Sequence, residues 1–116
     1  MRKRYLLAHL PDLPENPCPC GLSQRAFTDD ADKTASFHYV KIKKDSERHY
    51  HKIMTEIYHV VKGSGIIELD DDRVAVSPGS TIMIKKGCVH RAVGDLEIIN
   101  VAIPSFDPRD EYVVEQ

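Results

Sequence analysis

No stretch of this 116-residue chain repeats its apolar residues with a helical period, and no internal repeat is evident. From about residue 36 onward, short β-branched and aromatic runs alternate with turn formers. These are Gly63-Ser64-Gly65, Asp70-Asp71-Asp72, Ser77-Pro78-Gly79, Lys86-Gly87 and Gly94-Asp95. β-branched side chains suit a pleated strand, whereas glycine, proline and aspartate end one. A chain punctuated this way closes as an all-β barrel or sandwich. The spacing predicts strands within residues 34–43, 66–69, 73–76, 81–84, 90–93 and 96–103, with the second and third joined as a hairpin. Residues 96–103 form a nearly continuous apolar run, as expected of a strand buried on both faces.

Three of the six histidines fall into this framework together with a carboxylate. Read as a strand, His49-Tyr50-His51 puts both imidazoles on one face with Cα atoms about 6.6 Å apart, close enough to converge on one ion. Glu56 lies five residues after His51, an odd offset that would point it away on an unbroken strand. A turn or bulge over residues 52–55 brings it back inward. Glu56, Tyr58 and Val60 then share one face, and Ile57, His59 and Val61 the other, so parity removes His59 from the site. His90 opens a later strand, after the glycine turn at Gly87, and supplies a fourth donor. Three imidazoles and one carboxylate suit Fe, Mn, Ni, Zn, Cu or Co. Without an ion, each of these polar side chains would need another buried partner, which is costly in a small barrel. Cys88 shares His90's face and reads as a small, half-buried thiol.

These residues resemble the two motifs of the cupin family. The first has the form His-x-His, three or four residues, Glu, six residues, Gly, and His49, His51, Glu56 and Gly63 fit it. The second has the form Gly, five residues, Pro-x-Gly-x-x-His, three residues, Asn. Gly79, Gly87 and His90 stand in register with it, while Lys85 occupies the proline position and Gly94 the asparagine position. Those two departures bear on loop geometry and not on the ligands. The resemblance covers roughly residues 39–108 and implies a double-stranded β-helix, a jelly-roll barrel with both motifs facing each other inside. A six-coordinate metal held there would keep two open positions. Small cupins often pair through the N-terminal region, so the resemblance also implies a homodimer. It does not single out a reaction, because the family hosts isomerases, dioxygenases, decarboxylases, lyases and non-enzymatic binders.

The remaining features bound the function. One domain is expected over residues 1–116, with an N-terminal arm and loop (1–35), a barrel (36–104) and a tail leaving it (105–116). Pro11, Pro14, Pro17, Pro19 and Gly21 break the arm, in which residues 4–10 could add an edge strand. The net charge of −2 and the interspersed basic residues give no stripe for nucleic acid or an anionic membrane. No apolar run approaches the ~20 residues of a membrane helix. Pro11 and Asp12 cut the basic-then-apolar start too short for a signal peptide, so the chain reads as soluble and cytoplasmic. An odd cysteine count argues against a disulfide framework, and Cys18 and Cys20 read as reduced thiols. His38 reads as a core or surface histidine rather than a pocket residue. Asn100, if inward, needs a partner and could orient a ligand histidine. The expected function is a small metal-dependent enzyme of dioxygenase, isomerase or lyase type, acting on a small oxygen-bearing organic molecule. Tyr58 is its candidate acid/base or hydrogen-bond donor. The alternative is a non-catalytic binding or sensing module whose metal is structural or anchors a ligand.

Overall fold

The computed structural model describes residues 3–18, 21–43 and 46–114. Its strands are β1 (Asn16–Cys18), β2 (Gly21–Ala26), β3 (Ser36–Ile42), β4 (His49–Tyr50), β5 (Thr55–Gly63) and β6 (Gly65–Leu69). They continue with β7 (Asp72–Val76), β8 (Thr81–Ile84), β9 (His90–Val93), β10 (Leu96–Ile103) and β11 (Tyr112–Val113). They form two antiparallel sheets, ordered β1-β2-β3-β10-β5-β8 and β11-β4-β9-β6-β7. Val40, Ile42, Val60, Ile84, Leu96 and Ile98 from the first sheet meet Ile67, Val76 and Ala92 from the second in one apolar cluster. The sheets therefore face each other across a shared interior, as the jelly-roll expectation requires.

Strict alternation positions the interior residues. β3 buries Ser36, His38, Val40 and Ile42, and β5 buries Glu56, Tyr58 and Val60. β10, between them, buries Leu96, Ile98, Asn100 and Ala102. Register aligns these inward residues in rows across the sheet. His38, Asn100 and Tyr58 form one row, and Val40, Ile98 and Val60 the next. Gly63 and Gly87 both have positive φ, +88° and +83°. A Cβ at Gly63 would also strike the Asp95 carbonyl oxygen, whereas Gly87 has open space around it. Glycine at 87 thus answers to backbone conformation alone.

Four sequence expectations are corrected. β10 is not buried on both faces, because its odd-numbered residues are partly or largely exposed. An apolar run of eight residues is also what an outer sheet face with little charge produces. Residues 4–9 form no strand, and Leu10–Asp12 is a 3-10 turn. The region read as arm and loop instead supplies β1 and β2, with Pro17 on the edge strand, where a missing N–H is tolerated. The tail does not leave the barrel, since β11 returns to pair with β4. Finally, Cys18 is disulfide-bonded and not a reduced thiol. An odd count needs only one leftover thiol, and Cys88 is a free cysteine. The reading of Cys20 falls outside the described residues. No helix among the described residues is long and apolar enough to cross a membrane.

Candidate metal centre

His49 lies on β4, His51 just beyond it, Glu56 on β5 and His90 at the start of β9. His49 and His90 are paired in register on adjacent strands of the second sheet. Glu56 reaches them from the first sheet, across the interior. The inward turn of Glu56 has the expected origin, because β4 ends and residues 52 and 53 bend before β5 begins. All four side chains are buried, and one ligand atom from each lies within 4.8 Å of the other three. His51 Nε2 and His90 Nε2 each lie 3.0 Å from Glu56 Oε1.

The hydrogen-bond partners decide what those atoms are. His49 Nδ1 meets the Glu47 carbonyl at 2.9 Å, His51 Nδ1 the Asp110 carbonyl at 2.7 Å, and His90 Nδ1 the Cys88 carbonyl at 2.9 Å. A carbonyl only accepts, so Nδ1 carries the proton in each ring, and Nε2 of the neutral imidazole is a bare lone pair. His51 Nε2, His90 Nε2 and Glu56 Oε1 are buried without a hydrogen bond despite their 3.0 Å contacts. Acceptors crowded this closely, with no donor between them, are unfavourable unless a cation joins them. Two donors 3.0 Å apart subtend about 90° at an ion roughly 2.1 Å from each, the usual range for nitrogen and carboxylate ligands. The residues fit a metal ion.

The electrostatics agree. Burial opposes ionisation of Glu56, but the two imidazoles beside it outweigh burial and hold its carboxyl well below the usual range. Burial lowers His51, yet Glu56 more than compensates and raises it, so proton and metal compete for the same nitrogen. His49 is pushed down to about 4 by burial and by the neighbouring His90, and its neutral form is the one that ligates.

Outer partners complete the centre. Asn100 Nδ2 donates to Glu56 Oε2 at 2.6 Å, so Asn100 orients the carboxylate and not a histidine. Asp110, in the 3-10 turn Pro108–Asp110, is tied twice to the loop that begins at His51. Its carbonyl fixes His51, and its carboxylate accepts N–H bonds from Lys52, Ile53 and Met54 at 2.8–3.2 Å. That carboxylate shapes the bend which turns Glu56 inward. Gly87 N–H donates to the His51 carbonyl at 2.7 Å and joins the loop after His51 to the turn before His90. Sequence reasoning missed Asp110, because a partner 56–59 residues away leaves no local pattern.

Other candidates sort as follows. His59 lies on the outer face and bonds Thr81 at 2.8 Å. Cys88 packs beside the apolar cluster and does not join the four candidate ligands. His38 is buried, as the core reading had it, and also lines a narrow cavity with His49, Glu56, Tyr58, Asn100, Arg25 and Glu111. Tyr58 is 3% exposed, with its ring edge-on to His90 at 5.8 Å. Its hydroxyl makes no hydrogen bond among the described residues, and burial raises its pKa well above the ordinary tyrosine value. Arg25 and Glu111 escaped notice because they come from the region read as loop and from the tail.

The family model for the cupin domain matches residues 37–100, more than half of the chain, and the chain belongs to that family. A solved protein from Planctomyces limnophilus is 37% identical, with a TM-score of 0.85 over 93% of this chain and 96% of that one. A Streptomyces nucleoside dehydratase solved with uridine is 16% identical, with a TM-score of 0.81 over 97% and 93% of the two chains. Ectoine synthase from P. lautus is 17% identical, with a TM-score of 0.77 over 96% and 91%. At such identities the last two show the fold alone. A search of curated proteins finds no match.

Proposed function

We propose that this cupin is a small metal-dependent enzyme acting on an oxygen-bearing organic molecule, with His49, His51, Glu56 and His90 as ligands of one divalent transition metal. The observation that carries this reading is the set of three buried imidazoles that have given their N–H groups to carbonyls, two of which face the buried Glu56 carboxylate with unpartnered Nε2 atoms. When bound, such an ion supplies Lewis acidity toward a substrate oxygen. The chain's own residues do the rest. The Nδ1 bonds hold the rings, Asn100 holds Glu56, and Asp110 holds the loop. Tyr58 stays protonated in its buried setting and donates a hydrogen bond to a substrate oxygen instead of acting as a base. The dehydratase and synthase that share this fold act on small molecules, which supports a small-molecule substrate here.

Elemental analysis of protein purified without added metal tests the reading, with the His49→Ala/His51→Ala double variant alongside. Near-stoichiometric iron, manganese, nickel, copper, cobalt or zinc, lost in the variant, is the expected result. Metal in neither protein after incubation with each ion would overturn it. Metal without turnover across a broad panel of compounds it nonetheless binds would leave a binding module.

We also propose a homodimer, because Tyr5, Leu6 and Leu7 on the N-terminal arm are 64%, 57% and 90% exposed and offer apolar surface to a second copy. A monomer mass by light scattering at working concentration would remove that reading.

A further inference from the structure

The four candidate ligands are 0–3% exposed, and the cavity beside them measures about 20 Å³, room for roughly one water. An organic substrate therefore reaches the centre only if a wall moves. Most of the described residues that line the cavity are fully buried. Cys18, Arg25, Phe106 and Glu111 are each partly exposed, so these four form its mouth.

Three of the four are fastened. Cys18 is disulfide-bonded and pairs with Gly21 between β1 and β2. Arg25 pairs with His38 through β2 and β3, its Nε donates to Ser23 Oγ at 2.9 Å, and its Nη2 donates to the Pro17 carbonyl at 3.3 Å. Glu111 stands between Asp110, which is bonded to the loop after His51, and Tyr112, which pairs with Tyr50 and stacks on it at 5.2 Å. Its carboxylate is attracted by Arg25. Phe106 belongs to no strand. Its backbone N–H is anchored on Ser36 Oγ at 2.8 Å, while its ring meets the Arg25 guanidinium 4.7 Å from its centre and the His38 ring edge-on at 5.7 Å. A rotation about χ1 lifts that ring off both neighbours without breaking a hydrogen bond or moving the backbone. Cys18 and Arg25 cannot follow without losing the disulfide or the bonds to Ser23 and Pro17.

We infer that the Phe106 ring is the gate of the metal centre, latched on the Arg25 guanidinium, and that the site opens when the ring swings outward. This rests on the metal-centre reading above. It goes further by naming the residue that controls entry and the contact that keeps it shut. The Ser36 bond holds the backbone in place during the swing, so the ring returns to the same latch.

Metal release to a chelator reads the gate without knowledge of the reaction. The protein is loaded with the ion that elemental analysis finds, mixed with excess dipicolinate, and followed in time. Equilibrium metal affinity and urea stability are measured on the same variants. Phe106→Ala should release its ion about tenfold or more faster than wild type, at a rate that rises with dipicolinate concentration, while its affinity stays within about threefold. Arg25→Gln, which removes the latch, should speed release about two- to tenfold, the scale of one cation–π contact. Phe106→Tyr should release at the wild-type rate. Ile98→Ala, which loosens the fold away from the mouth, should not reproduce the acceleration. Unchanged release in Phe106→Ala would overturn the inference. Equal acceleration in Ile98→Ala would overturn it too, because general loosening would then suffice. Acceleration confined to Glu111→Ala would place the opening elsewhere and overturn it equally. Wild-type protein that takes up no metal would overturn the metal reading itself and the gate with it, and the metal assay tells that case apart.

Discussion

The same three strands build both ends of the barrel interior, and the two ends could hardly differ more. Toward one end β3, β10 and β5 contribute Val40, Ile42, Leu96, Ile98 and Val60, all 2% exposed or less. Toward the other they contribute Ser36, His38, Asn100, Glu56 and Tyr58. Backbone pairing is continuous from one end to the other, so the ladder does not set the difference. Side-chain chemistry does. The apolar end is stable because it is dry. The polar end is tied by bonds such as Asn100 to Glu56, and its bare His51 Nε2, His90 Nε2 and Glu56 Oε1 surround the place proposed for the ion. One end holds the sheets together, and the other spends part of that stability on a site.

Substitutions at the two ends should therefore fail in different ways. The largest expected effect is at the apolar end. Ile98→Ala, at a position 0% exposed, should cost about 2–5 kcal/mol in urea denaturation. It should leave the metal content of the folded fraction unchanged, and a loss of metal there would join the two ends. His90→Ala should behave conversely. Its deficit should appear mainly when metal is present, reaching about 2.7 kcal/mol at a hundredfold excess of metal over its dissociation constant. Thermal melts with and without metal should show that contrast, and an equal deficit in both would mean that His90 only packs. Asp110→Asn sits between these cases. Weakening an acceptor of three loop N–H groups should cost about 1–3 kcal/mol without metal and lower metal affinity about 10–100-fold, measured by competition with a chelator.

The smallest effect is graded by pH. His38 is pushed from 6.5 down to about 4 by burial and by Arg25, and His49 likewise by burial and by His90. Folded values below the unfolded value mean that the unfolded chain takes up protons first on acidification. Metal-free protein should therefore lose stability gradually on acidification between about pH 6.5 and 4. His51 opposes this. Glu56 raises it against burial, so its contribution is present below the unfolded value and fades as pH rises. Denaturation midpoints measured every half unit should decline toward acid, and a flat profile would show that His38 and His49 carry protons in the fold.

Much of this division is legible in the sequence, because a strand's period of two is local. His49, His51 and Glu56 could be assigned to one interior from spacing alone, given the bend over residues 52–55. Strand limits at Thr81–Ile84, His90–Val93 and Leu96–Ile103 follow from the turns that bound them. What escaped is of a different kind. β2 is Gly21-Leu22-Ser23-Gln24-Arg25-Ala26, too polar to be recognised as a strand until β3 is there to pair with it. Asp110 and Glu111 reach the site only because the chain folds back along β4. Asn100 was recognised as anomalous, but its partner, Glu56, is a fact of cross-strand packing. The four clustered side chains could be read along the chain, whereas the residues that hold and surround them could not.

The bond between His51 and Asp110 also has a history in time. Synthesis delivers His51 to solution 59 residues before the carbonyl that fixes its ring. Until Asp110 follows, the bend at residues 52–54 has no acceptor for its three amides. Glu56 has no reason to turn inward before then. A nascent chain halted at Val101 would hold all four donors and most of the barrel, yet present them in no fixed relation. The part of the molecule made midway is thus the part finished last.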